Sequence, residues 1–331
     1  MIKVSKSQPD QHIRSSVVAL GGTGVVGSAL RQIAIGRGLS VVSVSLDKDA
    51  IESNWRNLFC DLSKARDGAI RDLLERALPT GTPIYAVCNI AGLAATCVAE
   101  VADFAAARGV PVVQISSCLL YRSSGPGLID ESTPVLRSEE AQFPYLRLKL
   151  EEESALMSRD DVDWRILRTQ HVLGKGGLLG CLPNHNRDPQ LLETLRKGLP
   201  LHLAKCGNVR VSFVHAADLA RALLDLSTSA EISRQAVNVV HPEPVLASEY
   251  FRQIADILGV TPPDIRPMIS EPEGFWALTA RDNHFFSRYP SVQKLTFFHT
   301  LRSALTDTLS IGEAPYTELG RHMYGRLGLA K

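Results

Sequence analysis

The sequence predicts a doubly wound α/β fold, a parallel sheet with helices on both faces. Three observations carry that expectation. An uninterrupted apolar run, Ser16-Val17-Val18-Ala19-Leu20, leads into Gly21-Gly22-Thr23-Gly24-Val25-Val26-Gly27 and then into residues with helical apolar spacing. Strand-like and helix-like segments go on alternating to about residue 116, the pattern that builds a parallel sheet. The 331 residues, 45% hydrophobic and 21% charged, have the make-up of a globular chain long enough to bury a sizeable core.

The first strand is β-branched and lacks polar alternation, as expected of a strand covered on both faces. Gly21 lets the chain turn sharply, and Gly24 removes a side chain where a pyrophosphate would approach the backbone. Gly27 lets the helix that opens at Ser28-Ala29-Leu30 pack close to the strand. The helix start then offers unpaired N–H groups and a positive dipole end to phosphate. Gly21, Thr23, Gly24, Val25, Val26 and Gly27 are therefore expected to hold a dinucleotide. The glycines alone are weak evidence; their place between strand and helix gives them meaning.

Ser40 to Ser45 reads as the second strand, followed by the polar turn Asp47-Lys48-Asp49. Asn57 to Leu62 is a short third strand ending in an acid, and Ala65 to Ala77 has helical character. Pro83 to Asn89 is the fourth strand and Val110 to Ser116 the fifth, with an alanine-rich helix over about Ala94 to Arg108 between them. Ligands of such sheets bind at the carboxyl ends of the strands, near the point where strand order reverses.

Composition narrows the partners. Lys+Arg of 36 against Asp+Glu of 35 leaves a formal charge of +1, so no net field recruits nucleic acid or an anionic membrane. No apolar run approaches the roughly 18 residues of a membrane span. Met1 to His12 is polar and mixed, without a signal-peptide core, and reads as a short disordered leader. Six cysteines without a CxxC pair point to reduced thiols in a cytoplasmic protein, and no histidine shows metal-ligand spacing, so no metal is expected.

The end of the second strand discriminates between cofactors. An acid about 20 residues beyond the glycine motif would bind the adenosine ribose 2′-hydroxyl; a 2′-phosphate needs the acid gone and a cation nearby. The position falls on Ser45, with Lys48 close behind, so NADP is expected. Asp47 is the rival, and pointing inward it would restore NAD. Asp61-Leu62 is a candidate to receive the adenine amino group, although an acid closing a strand is also a routine turn residue.

Chemistry enters with Gln114-Ile115-Ser116-Ser117, a strand that finishes in hydroxyls. Beyond the Gly/Pro/Ser loop from Ser123 to Gly127 lies Pro144-Tyr145-Leu146-Arg147-Leu148-Lys149. Pro144 suits a helix start, making Tyr145 and Lys149 an i, i+4 pair on one face. A phenol of pKa near 10 transfers protons poorly at neutral pH, and an adjacent ammonium makes it more acidic. A serine hydroxyl can hold a reacting carbonyl oxygen beside that phenol.

Taken together, these motifs resemble the short-chain dehydrogenase/reductase superfamily, in its extended or atypical branch related to NAD-dependent epimerase/dehydratases. The likeness rests on Gly21-x-x-Gly24-x-x-Gly27, Ser116 to Tyr121, and Tyr145-x-x-x-Lys149 with Glu152. It continues in Leu167 to Gly174, Phe213 to Asp218 and Val237-Asn238-Val239, spanning about residues 15 to 260. The resemblance implies Ser117, rather than Ser116, as the catalytic serine, Tyr145 as acid/base and Lys149 as its partner. It implies further cofactor contacts from Ile90, Ala91, Thr169 and His171.

It also implies a Rossmann-like domain over 13–174 plus about 213–242. A smaller, interleaved substrate domain would then take 175–212 plus 243–331. There, the polar cluster Asn184-His185-Asn186-Arg187, ahead of a helix from about Pro189 to Lys197, reads equally as a pocket lining or as a solvated loop with a helix cap, while Phe275-Trp276 and His284-Phe285-Phe286 are expected in the small-domain core. Three departures from the family pattern stand out: a short segment from Ala91-Gly92 to Ser117, Val211 where a diphosphate-gripping arginine is usual, and Thr169 in place of a proline. The expected function is an NAD(P)-dependent oxidoreductase acting on a carbonyl or alcohol of a small metabolite, as monomer or homodimer. A sugar-nucleotide epimerase or dehydratase with retained NAD, and a non-catalytic NAD(P)-sensing regulator, are the alternatives.

Overall fold

The computed structural model describes residues 15–62, 64–122, 127–179, 190–268 and 282–318. Its central strands are β1 (Ser16–Leu20), β2 (Ser40–Ser45), β3 (Ala50–Glu52), β4 (Trp55–Phe59), β5 (Ile84–Asn89), β6 (Val112–Ser117), β7 (Trp164–Thr169) and β8 (Gln235–Asn238). They form one sheet in the order β8-β7-β6-β5-β1-β2-β4-β3, parallel throughout except where β3 turns back on β4. This is a Rossmann-like doubly wound sheet, as the alternation predicts.

The helices are α1 (Val25–Gly36), α2 (Ala69–Ala77), α3 (Ala95–Arg108), α4 (Pro144–Met157), α5 (Leu191–Arg196), α6 (Ala216–Ser227), α7 (Ala247–Ile257), α8 (Pro290–Gln293) and α9 (Leu301–Leu309). Alternate strand residues serve the two faces. Val17, Ala19, Val113 and Leu167 pack with α1 and α6. Val18, Leu20, Val87 and Ile166 pack with α2, α3 and α4. That double cover explains why β1 lacks polar alternation: all five of its residues are buried.

A third apolar core lies outside the sheet layers. It joins Leu191, Leu192 and Leu195 of α5 to Tyr250, Phe251 and Ile254 of α7 and to Leu301, Ala304 and Leu305 of α9. Two-residue and three-residue strand pairs border it, among them Leu201–Leu203 with Ile265–Pro267 and Arg210–Val211 with Val245–Leu246.

Several boundaries move from their expected places. The third strand is β4, Trp55–Phe59, two residues earlier than expected at its start, and the edge strand β3 before it was not anticipated. β3 spans three residues with an exposed Ile51, too short to show a period. Helix α2 begins at Ala69 rather than Ala65, and α5 covers Leu191–Arg196. The expectation for His284-Phe285-Phe286 is corrected as well. Phe285 is buried, but against Cys118, Tyr121, Ile129 and Val240 beside the main sheet, and Phe286 is exposed. The leader, the loop over 123–126, Cys181, the Asn184 to Arg187 cluster and Phe275-Trp276 lie outside the described residues.

Candidate active site

The strand order reverses between β1 and β5, and the chain gathers there at the carboxyl ends. The Gly21 N–H donates to the Val44 carbonyl at 2.8 Å, and the N–H groups of Ile90 and Ala91 donate to the Leu20 carbonyl at 3.0 and 3.1 Å. Gly21 turns with φ of +83°, a region L side chains avoid. A Cβ on Gly27 would stand 2.4 Å from the Gly21 carbonyl oxygen, so only glycine lets α1 start this close to β1. Gly22, given no role by the sequence motif, is equally constrained: its Cβ would stand 2.3 Å from Ser43 Oγ.

Gly24 behaves differently. A Cβ there would meet nothing closer than 3.5 Å, so packing does not demand glycine, and the residue is exposed at the mouth of the turn. It is the N-cap of α1, with no side-chain cap and no acid in the first turn of the helix. The amides of Val25, Val26 and Gly27 thus lie at a positive helix end that neither a side-chain cap nor a first-turn acid compensates. This cradle fits a pyrophosphate.

Ser45 lies at the expected strand end, but its hydroxyl turns inward. It donates to Asn57 Oδ1 at 2.9 Å and accepts the Asp47 N–H at 3.2 Å, and it is buried. The Asn57 amide in turn donates to the carbonyls of Asp47 and Lys48. A neutral Ser–Asn pair therefore shapes the turn that carries Asp47 and Lys48 into solvent. Asp61 forms an ion pair with Lys64 at 3.1 Å, and Leu62 is buried with the α2–α3 core.

On the other side of the crevice, β6 ends in Ser116 and Ser117, both buried. Ser117 Oγ accepts the Leu119 N–H at 3.2 Å and so caps the short 3-10 turn Cys118–Leu120. Ser116 Oγ has no hydrogen-bond partner. Thr169 lies directly across the β6–β7 ladder from Ser117, which brings Thr169 to the same end of the sheet. His171 begins the short strand His171–Leu173, paired with Phe213–His215.

Helix α4 starts at Pro144, as predicted, and carries Tyr145 and Lys149 one turn apart. Tyr145 is 41% exposed, whereas Lys149 is buried. Lys149 Nζ donates to the Ile115 carbonyl at 3.2 Å and to Glu152 Oε2 at 2.7 Å. The ammonium is thereby fixed against the end of β6. Gly92 lets α4 come near, since a Cβ there would stand 3.2 Å from Leu148.

Of the three glutamates after Lys149, Glu152 and Glu153 are buried and do different work. Glu153, absent from the sequence expectations, forms a two-point pair with Arg168 of β7 at 3.0 and 2.7 Å, both side chains buried. The Arg168 guanidinium also lies 4.9 Å above the Tyr121 ring, and Tyr121 Oη donates to Asn238 Oδ1 at 2.7 Å. Burial pushes the Tyr121 and Cys118 groups far above their usual ranges, so both stay protonated. Glu152 is 1% exposed; burial raises its carboxyl, against the pull of Lys149. A run of three acids reads as a solvated helix face in sequence, so nothing there separates these two from exposed Glu151.

Arg210 and Val211 settle the position of the missing arginine side chain. Val211 is buried in the third core. Arg210 is bound at two points to Asp282, at 2.7 and 3.1 Å, while its own N–H donates to the same carboxylate at 2.9 Å. The pair holds the Asp282 carboxyl below the usual carboxylate range. His215 and Asp218 of one segment and the distant His299 lie with their donor atoms within 4.8 Å of one another. Asp218 accepts from the His299 N–H and lies 3.0 Å from its Nδ1; His215 lies 3.0 Å from Asp307 and accepts the Ala217 N–H, so the donors are already engaged.

Comparisons with known proteins agree with this fold. The model of the NAD dependent epimerase/dehydratase family matches residues 17–239. No curated protein matches by sequence. Among solved structures, WbmH from Bordetella bronchiseptica in complex with NAD+ has a TM-score of 0.69 at 17% identity, covering 93% of this chain and 99% of that one. A dTDP-glucose 4,6-dehydratase from Bacillus anthracis with NAD gives 0.69 at 15%, covering 92% and 99%. MoeE5 in complex with UDP-glucuronic acid and NAD gives 0.64 at 18%, covering 93% and 100%.

Proposed function

This chain belongs to the NAD dependent epimerase/dehydratase family of extended short-chain dehydrogenase/reductase enzymes, and on that premise we propose an oxidoreductase with an exchanging NAD(P) cofactor. It moves hydride between the nicotinamide and a carbonyl or alcohol of a small metabolite. Ser117 holds the substrate oxygen, Tyr145 gives or takes its proton, and Lys149 steadies the phenol. The bound cofactor supplies or accepts the hydride; the chain supplies orientation and the proton. Residues Gly21 to Gly27 hold its pyrophosphate, with Ile90, Ala91, Thr169 and His171 along its length. Neutral, inward-turned Ser45 beside solvent-facing Lys48 supports NADP over NAD.

One observation carries the choice of reaction class: Arg210 is spent on Asp282, and Val211 is packed in the core. No cation from this strand is left to grip a diphosphate. The other reading, a sugar-nucleotide epimerase or dehydratase with retained NAD, is favoured by what the similar structures contain, UDP-glucuronic acid in MoeE5 and NAD in WbmH. Thermal-shift measurements with NADP(H) present separate the two. The oxidoreductase reading expects no stabilisation by UDP, UDP-glucuronic acid or dTDP-glucose. Several degrees of stabilisation by these, with cofactor co-purifying and no net turnover of NAD(P)H, would establish the epimerase/dehydratase reading instead.

A further inference from the structure

The buried surroundings of Lys149 hold more polar groups than its anchoring requires. Glu152, one turn along α4, is bonded from three directions. It accepts from Lys149 Nζ at 2.7 Å, from the Leu93 N–H at 2.5 Å and from the Gln114 side-chain amide at 3.2 Å. Gln114 is itself held, donating to the Ile115 carbonyl at 3.0 Å and accepting from the Asn89 amide at 2.5 Å. Asn89, Gln114 and Glu152 are each no more than 1% exposed. Burial raises the Glu152 carboxyl, and the three donors oppose it, because each favours the charged form.

Its charge is the important point. An ammonium beside a phenol makes the phenol more acidic only while that positive charge is uncancelled. Here a carboxylate lies in direct contact with the ammonium, and the other charged groups around it are engaged elsewhere. Glu153 is bound to Arg168, Arg147 donates to the Ala141 carbonyl, and the Cys118 thiol stays protonated. On α3, which packs against α4, Glu100 accepts backbone N–H groups of 68, 70 and 71, and Asp103 pairs with Arg159. Among the described residues, Glu152 alone is positioned to offset Lys149.

We infer that Glu152 is a positioning residue for Tyr145: it fixes Lys149 against β6 and offsets the ammonium charge that Lys149 presents to the phenol. The site is thereby set for proton donation, which favours carbonyl reduction over alcohol oxidation near neutral pH. This inference rests on the proposed role of Tyr145, but its test does not need a substrate.

Ultraviolet difference titration of the phenol, with a Tyr145→Phe partner for each variant as the background, reads Tyr145 directly. Glu152→Gln removes the charge and retains one acceptor oxygen, which can still serve Lys149 and Gln114 while the Leu93 N–H loses its partner, and it is expected to lower the Tyr145 midpoint. The neutral double variant Lys149→Gln/Glu152→Gln is expected to titrate close to wild type. Lys149→Gln alone, which leaves the carboxylate uncancelled, is expected to titrate above it. If Glu152→Gln fails to fold, the other two still decide the matter. An unchanged midpoint in Glu152→Gln, a double variant well above wild type, or an unchanged Lys149→Gln would each overturn the inference. Activity surviving in Tyr145→Phe would instead refute the proposed function and leave the titration result standing.

Discussion

Replacing Glu153 by glutamine tests the electrostatics of this site without touching the proposed chemistry. The Arg168–Glu153 pair joins α4 to β7 through two charge-assisted hydrogen bonds, with side chains 6% and 4% exposed. Each such bond contributes about 1.5–3 kcal/mol. Glutamine retains one acceptor and leaves a buried guanidinium without its counter-ion, a change that costs about 3–5 kcal/mol where one partner of a buried pair is removed. Stacking of Arg168 over Tyr121 at 4.9 Å is the same in both proteins and offsets none of this. A net loss of about 3–5 kcal/mol is expected. With a urea slope of about 3 kcal/mol/M, the unfolding midpoint falls by roughly 1 M or more. The companion change Arg168→Met/Glu153→Leu removes both charges and recovers most of the loss, because an apolar pair has no desolvation cost. A Glu153→Gln midpoint within experimental error of wild type, or a double variant less stable than the single one, would refute the reasoning.

Tyr145→Phe is expected to lower turnover by roughly 10²–10⁴-fold, the loss typical of a general acid, with cofactor affinity unchanged by calorimetry. Direct titration of both dinucleotides is expected to show tighter binding of NADP(H), and Lys48→Ala to narrow the gap; a preference for NAD(H) would make Asp47 the ribose ligand. His215 gives a pH signature. Burial outweighs Asp307 and, with His299 alongside, depresses the folded imidazole below its usual value. Its contribution is therefore present above about pH 6.5 and lost as pH falls through the lower folded value. Urea midpoints measured between neutral and mildly acid pH should decline in wild type and flatten in His215→Asn, which can still cap α6.

The fold was legible where burial forces a pattern. β1 and β2 are apolar because both faces are covered, and Gly21, Gly24 and Gly27 mark the turn because a side chain at two of them has no room. Pro144 announced the start of α4, and the spacing of Tyr145 and Lys149 followed from it. What escaped were contacts between residues far apart in the chain. Ser45 reads as a ribose neighbour until Asn57, two strands away in sequence, claims its hydroxyl. Glu152 and Glu153 are indistinguishable until Gln114 and Arg168 arrive from β6 and β7. His215, Asp218 and His299 converge only because α9 packs against the short strand Phe213–His215.

The third core has a consequence for how the molecule is made. Its apolar residues come from two stretches, Leu173 to Phe213 and Ala247 to Tyr316, with all of α6 and β8 between them. A nascent chain can close the glycine turn and stack β1, β2, β4, β5 and β6 while synthesis continues. Leu191, Leu192 and Leu195 must wait, exposed, until α7 and α9 have been translated. Folding from the ribosome is thus ordered from the sheet to the third core. A chain stopped before Leu301 would carry a finished glycine turn and an open apolar wound, the surface on which chaperones act.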